Sequence, residues 1–346
     1  MALLAGIYYP QEYEFRIGAD AMTDGEPGPL MLRVGSSITE RRLDKYLHGR
    51  FSNLSRCFIQ DVIRQGAVKV NGKIAKQSLK LSPGDEIDMT LPELPSKEIL
   101  PEDIPLEIIY EDTDLIIVNK QPGMIVHPAR GNTHGTLVNA LAFYSDKLSS
   151  GLGEFRPGIV HRLDKNTTGV MVVTKNDTAQ WKIAKQFEHR QVNKSYLAIV
   201  HGTPELIADR IKASLGVHPR TREKYAVRSD TGKEAITFYE VLEAFRGFSI
   251  LKMMPKTGRT HQIRVHLSYI RHPIVADDMY GGKLVYLWQL ADAEPAVAEP
   301  LLGRVALHAF ALEFKHPSTE AMVRFEAPLP ADMNRLLDAL REHRKS

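Results

Sequence analysis

The chain has 346 residues, 43% hydrophobic and 25% charged, with a net charge of +3; this is ordinary for a globular protein and long enough for two domains. Its single cysteine, Cys57, excludes an internal disulfide and a cysteine-based zinc site and fits a reducing, cytoplasmic setting. The N-terminus lacks the basic segment of a signal peptide and no stretch approaches the ~20 apolar residues of a membrane span, so a membrane role is not expected.

Charge is unevenly placed along the chain. Ser36 to Lys80 holds ten Lys/Arg against three acids, Glu98 to Asp114 holds seven acids and no base, and Leu251 to Ala276 holds five bases and no acid. Two separate basic stretches suit a polyanion partner. Residues 1–35 read as a mobile arm. Residues 36–92 read as a small basic module. Arg41–Leu47 and Ser55–Ile63 are its helices, with Ser55 as N-cap and Gly66 as the stop. Val68–Ile74 alternates around Asn71-Gly72, a hairpin signal, and Gly84-Asp85 turns into a last strand. Residues 93–103 are acidic and Pro-rich and read as a linker.

Residues 104–346 read as a second domain. Leu106–Glu111 and Leu115–Val118 predict paired strands, and Gly135–Leu141 a helix capped by Thr136. Arg156–Gly169 (RPGIVHRLDKNTTG) then leads into Val170–Val173, an apolar run that predicts a buried strand. Asp164 lies in the polar turn between Arg162 and Lys165. Turn capping alone would account for it, although a loop on a rigid scaffold is also where reactive groups are usually held. Trp181, Ala184 and Phe187 repeat at helical spacing within Thr178–Arg190, and Val192–Val200 reads as a strand that contains Tyr196. Residues 212–233 are basic and turn-rich, an exposed hairpin or loop, and Glu234–Tyr239 and Phe248–Met253 follow as strands. Thr257–Leu267 opens a helix or strand carrying paired cations. His261 and His266 stand five apart, not at the i, i+4 spacing of a helical zinc pair, so no metal is expected. Residues 288–300 read as a loop, and Asp332–Arg344 as an amphipathic helix on Met333, Leu336, Leu337 and Leu340.

Several of these stretches carry a resemblance. HRLDKNTTG, the earlier NKQPGMIVHP (Asn119–Pro128), KSYLA (Lys194–Ala198), GRTHQIRVHL (Gly258–Leu267) and the late RVALHA (Arg304–Ala309) resemble, in order, the motifs of the RluA/RluD-type pseudouridine synthases. Asn166 and Thr168 stand where that family commonly has Asp and Ser, Gln121 precedes the motif proline, and Ala276 replaces a common Gly. RLDKYL, SRCFIQDVIRQGAVKVNGK and LSPGDEI resemble the S4 RNA-binding domain. The resemblance implies an α+β fold, with a catalytic domain on a mixed, largely antiparallel sheet preceded by a small S4-like α/β domain. It implies that Arg42, Lys45, Arg56 and Lys73 lie along structured RNA, that Asp164 is the essential carboxylate, and that Arg264 grips it in a bidentate pair, with Arg259 as runner-up and otherwise RNA-facing. Tyr196 would stack on a flipped uracil and help take its C5 proton, Arg162 would fill the space the nucleotide leaves, and His161, Leu163 and Leu307 would line the pocket. No cofactor is implied. The expected partner is structured ribosomal RNA, most closely that of the large subunit, and the expected protein is a cytoplasmic monomer. The rival reading is a non-catalytic RNA-binding ribosome-assembly factor.

Overall fold

The computed structural model describes residues 30–38, 40–51, 56–90, 99–128, 133–149, 156–295 and 297–345. The arm as far as residue 29, the Ser55 cap and the linker as far as residue 98 lie outside them. The chain divides into two compact units, Met1–Lys97 and Glu98–Ser346.

The first unit contains β1 (Leu30–Arg33), α1 (Leu43–Arg50), α2 (Arg56–Arg64), β2 (Val68–Val70), β3 (Lys73–Ile74) and β4 (Glu86–Met89). Its antiparallel sheet runs β1-β4-β2-β3. β1 corrects the reading of residues 30–33 as arm: Leu30 and Leu32 pack on the core while Met31 faces out, and the strand pairs with β4. Asn71 and Gly72 both take positive φ, 50° and 74°, which is what lets two residues close the β2–β3 hairpin. Leu43, Leu47, Ile59, Val68 and Met89 are wholly or almost wholly buried and form the core.

The second unit is one ten-stranded sheet. Its elements are β5 (Glu107–Glu111), β6 (Leu115–Lys120), α3 (Leu137–Tyr144), β7 (Thr168–Thr174), α4 (Asp177–Glu188), β8 (Asn193–His201), β9 (Ala208–Val217), β10 (Tyr225–Val227), β11 (Lys233–Phe245), β12 (Phe248–Pro255), α5 (Gln262–Tyr269), α6 (Leu287–Leu290), β13 (Leu307–Lys315), β14 (Met322–Glu326) and α7 (Ala331–His343). The strand order is β10-β9-β11-β12-β8-β13-β7-β6-β5, with β14 on β13. Only β13 and β7 pair in parallel, so the sheet is mixed and largely antiparallel, and the α+β class follows. Among the described residues no helix is long and apolar enough to cross a membrane.

Residues 99–103 correct the linker reading. Glu102 N–H donates to the Asn139 carbonyl (3.0 Å) and Asn139 Nδ2 to the Leu100 carbonyl (2.9 Å), so this stretch is fastened to the start of α3. Thr136 caps that helix, as its position before the apolar run predicts. Two large cores and a small cluster of Leu215, Ala235 and Val265 sit in this unit. One large core gathers β6, β7 and α3, the other β8, β12, α5 and α7, and Tyr196 packs against both.

Candidate active site

The residues before β7 set the site. Ile159 bridges to Val173 and the Val172 N–H donates to His161 Nε2 (3.2 Å), so the HRLD segment runs back along β7. His161 stacks on Phe187, 4.6 Å between ring centres. Burial, helped by the Lys194 charge, pushes its pKa down to about 3, which keeps Nε2 an acceptor at neutral pH. Leu163 is buried in the first of the two cores. Between these anchors and β7 the chain turns, with Thr167 N–H donating to the Asp164 carbonyl (3.1 Å).

Two buried cations clamp that turn from below. The Lys120 ammonium, at the end of β6, donates to the carbonyls of Gln121 (2.8 Å), Met124 (2.9 Å) and Lys165 (3.1 Å). Burial pushes its pKa down to about 7, against the pull of Asp164. Arg304 forks onto Asp332 at 2.7 and 2.8 Å and gives a third hydrogen bond to the Asn166 carbonyl (3.2 Å).

Arg264 comes from the first turn of α5. The turn before that helix is pinned by Gln262, whose Oε1 accepts from Thr257 Oγ1 (2.7 Å) and whose Nε2 donates to the Ile236 carbonyl (3.0 Å). The Arg264 fork is spent on Asp277, at 2.8 Å for both Nε and Nη2, and Asp277 is wholly buried. Only Nη1 reaches Asp164 Oδ2, at 3.3 Å. The expected bidentate grip on Asp164 is therefore corrected to a single contact: Asp277 takes the side-on pair of Nε and Nη2, and of the guanidinium's remaining N–H donors only one on Nη1 comes within hydrogen-bond distance of Asp164. Burial opposes the guanidinium charge, but the hydrogen bonds and charges of Asp277 and Asp164 outweigh it and raise its pKa. No described residue donates a hydrogen bond to Asp164 Oδ1, and the side chain keeps 24% of its exposure.

His261 holds a left-handed conformation (φ 55°) at the N-cap of α5 and places Nε2 3.9 Å from Asp164 Oδ2. Its Nδ1 meets the Tyr280 hydroxyl at 2.8 Å, and that hydroxyl accepts the Tyr225 N–H at 2.9 Å. Burial lowers the His261 pKa despite the Asp164 charge. In the neutral ring, a Tyr280 hydroxyl donating to Nδ1 puts the ring proton on Nε2, facing the carboxylate. His266 is fully buried with Nδ1 2.9 Å from Thr237 Oγ1, and burial pushes its pKa down to about 4. The two histidines therefore have separate roles. The described side chains that could converge on a metal are Asp112, Asp114 and His316. Their hydrogen bonds tie the β5–β6 turn to the loop after β13: Asp112 accepts the backbone N–H of Asp114 and of Leu115 and meets His316 Nε2 at 2.8 Å.

Asp164, Tyr196, Arg264, His261, Arg162 and Leu307 share one cavity of about 770 Å³, which His161, Leu163 and Arg259 also line. Arg259 Nε bonds the Glu234 carbonyl (3.3 Å) rather than Asp164. Arg162 is exposed beside the carboxylate. Burial and the Asp164 charge both push the Tyr196 hydroxyl up, so the phenol stays protonated across the neutral range.

A carboxylate with one oxygen unpaired among the described residues, an aromatic ring and several cations lining one cavity together fit a nucleoside of a polyanion. The RNA pseudouridylate synthase family model matches residues 114–269, and the S4 domain model matches residues 41–87. An uncharacterized RNA pseudouridine synthase of Chlorobaculum parvum is 42% identical over 319 residues, 90% of this chain and 98% of that protein. The chain belongs to the RNA pseudouridylate synthase family. It is an RNA pseudouridine synthase, an isomerase. A Xylella fastidiosa protein named ribosomal large subunit pseudouridine synthase D is 42% identical over 311 residues, 89% of this chain and 92% of that one. The structure of human RNA pseudouridylate synthase domain containing 4 superposes with a TM-score of 0.52 at 27% identity, covering 68% of this chain and 93% of that one.

In the S4 unit, Asp44 is wholly buried and takes Arg42 Nε (2.9 Å), Arg56 Nη2 (2.9 Å) and Gln60 Nε2 (2.7 Å). Its burial favours the neutral acid, but Arg42, Gln60 and Arg56 outweigh that and lower its pKa. Lys45 pairs with Glu40 at 3.1 Å, and Lys73 is exposed on the hairpin. Asp277, Arg304 and Asp44 escaped the sequence reading as site residues, whereas Lys120, read from its motif as structural rather than catalytic, bonds the carbonyls of the turn. A lysine inside an apolar strand end is the one signal that pointed at a buried cation.

Proposed function

We propose that this enzyme isomerises uridines of large-subunit ribosomal RNA, with Asp164 as the essential carboxylate. The observation that carries the reading is the state of Asp164. Arg264 holds Oδ2, no described residue donates to Oδ1, and Asp164 lines a cavity that Tyr196 and Leu307 also line. The likeness to a protein named for the large ribosomal subunit supports the choice of RNA.

In the reaction the C1′–N1 bond breaks, a C1′–C5 bond forms, the C5 proton leaves and N1 takes up a proton, so atoms and electrons balance. Oδ1 either attacks C1′ or removes the C2′ proton to give a glycal. Both routes use the same open oxygen. Tyr196, protonated, suits stacking on the extruded base and donating a hydrogen bond rather than receiving the C5 proton. Arg162 stands exposed at the cavity edge, where it would replace the flipped nucleotide. Arg42 and Arg56, fixed on one side by Asp44, would offer their outer N–H groups to phosphates.

The test is tritium release from large-subunit ribosomal RNA labelled at uridine C5. Wild type releases tritium, and Asp164→Asn releases none while still binding RNA. Near-normal release by the variant would overturn the site assignment. No release by wild type, on free RNA and on assembled large subunits alike, would favour the assembly-factor reading.

A further inference from the structure

The cavity that holds Asp164 has a second cluster at its edge. Arg190 follows α4, Lys194 lies near the start of β8 and Lys256 follows β12; all three line the cavity. None has an ion-pair partner among the described residues. Glu188, the carboxylate nearest to them in sequence on that wall, is exposed. Lys194 is half-buried, and among the described residues its ammonium makes one hydrogen bond, a long one of 3.3 Å to the neutral carbonyl of Thr257. Two of its three ammonium protons are thus without a protein acceptor among the described residues. Gly258, beside it, has no Cβ: one placed there would stand 3.9 Å from Nζ.

Glu234 acts on Arg190 at longer range but is itself paired with Lys212 at 3.0 Å, and like charges gathered this closely cost free energy. Burial, with Lys256 and Arg190 adding to it, pushes the Lys194 pKa down to about 8. Such a cluster is relieved by an anion that brings its own acceptors. Lys194 and Tyr196 are two residues apart on β8, so their side chains share a face about 7 Å apart along the strand. That is within one nucleotide of the ring proposed to stack on the base.

We propose that Arg190, Lys194 and Lys256 form a binding site for a phosphodiester of the RNA strand, next to the extruded uridine. This rests on the reading of the enzyme given above. The site holds the strand while the base turns, and it is separate from the S4 contacts, which lie in the other unit.

The experiment measures binding of a large-subunit ribosomal RNA transcript by fluorescence anisotropy over a salt series. It compares wild type with Lys194→Met, Lys256→Met, Arg190→Gln and Lys194→Arg. Each neutral variant should bind more weakly, and the slope of log K against log salt should become shallower by up to about 0.7, the value for losing one contact to a single-stranded phosphate. Lys194→Arg should keep the wild-type slope, as should Lys315→Met, an exposed lysine at the far end of β13. Arg190 and Lys256 are exposed, so their variants stay informative if Lys194→Met folds poorly. Unchanged slopes in Lys256→Met and Arg190→Gln would overturn the proposal even where wild type releases tritium. A wild type that releases none while the variants still lose slope would sink the proposed reaction and leave the anion site standing.

Discussion

Asp277→Asn tests the support of the site rather than its chemistry. Asp277 takes two N–H groups of Arg264 at 2.8 Å each and the Tyr280 N–H at 3.2 Å, with no solvent exposure. Asparagine has nearly the same shape but only one carbonyl oxygen. One guanidinium bond survives, while the amide N–H₂ is set against the other guanidinium N–H. Removing one partner of a buried ion pair costs about 3–5 kcal/mol. For a unit the size of Glu98–Ser346, each kcal/mol lowers Tm by about 2–4 °C, so a fall of roughly 6–20 °C is expected. Freed of its fork, Arg264 can swing toward Asp164 and occupy the open oxygen, so tritium release should fall even where the variant is fully folded. Thermal unfolding by circular dichroism and single-turnover release at a temperature below both transitions read the two effects. A variant that melts within about 2–4 °C of wild type and reacts at the same rate would refute the claim that Asp277 positions Arg264.

Two other changes probe the frame. The Lys120 pKa of about 7 lies below the 10.5 of a free lysine, so the unfolded chain binds more protons between those values and stability rises with pH there. Relative to Lys120→Met, wild type should gain about 1.5–2 kcal/mol between about pH 7 and 8.5, read from urea midpoints; a difference that stays flat with pH would show that Lys120 does not titrate in this range. Gly169 has φ +115° and packs so close to β13 that an added Cβ would collide with the Ala309 carbonyl. Gly169→Ala should therefore break the parallel pairing of β7 with β13 and cost several kcal/mol, of order 3 or more. A soluble variant with wild-type stability would refute this.

Much of the frame was legible because its signals are local. Asn71-Gly72 gave the hairpin, Thr136 the start of α3, and the unbroken run after Gly169 a strand buried on both faces. Asp164, Tyr196 and Arg264 were legible through motifs, and the structure brings all three to one cavity. What escaped depends on chemistry between distant parts of the chain. Asp277 stands beside Asp278 in a loop, with no periodicity to mark either as a buried partner. Its grip on Arg264 was invisible, and so the sequence reading directed the guanidinium fork to Asp164. The Lys120 ammonium is satisfied by backbone carbonyls, which leave no trace in side-chain identity. The arm was drawn six residues too far into the first unit because Leu30–Arg33 is too short to show alternation of its own. The linker ran too far because nothing in Leu100 or Glu102 announces a bond to Asn139.

The place of β13 has a consequence for how the enzyme comes into being. Leu307–Lys315 is among the last strands made, yet it lies between β7 and β8. Until it arrives, the strand that follows Asp164 and the strand that carries Tyr196 have no common neighbour. A nascent chain still short of β13 therefore holds Asp164, Tyr196 and Arg264 and lacks the strand that joins their sheet neighbours.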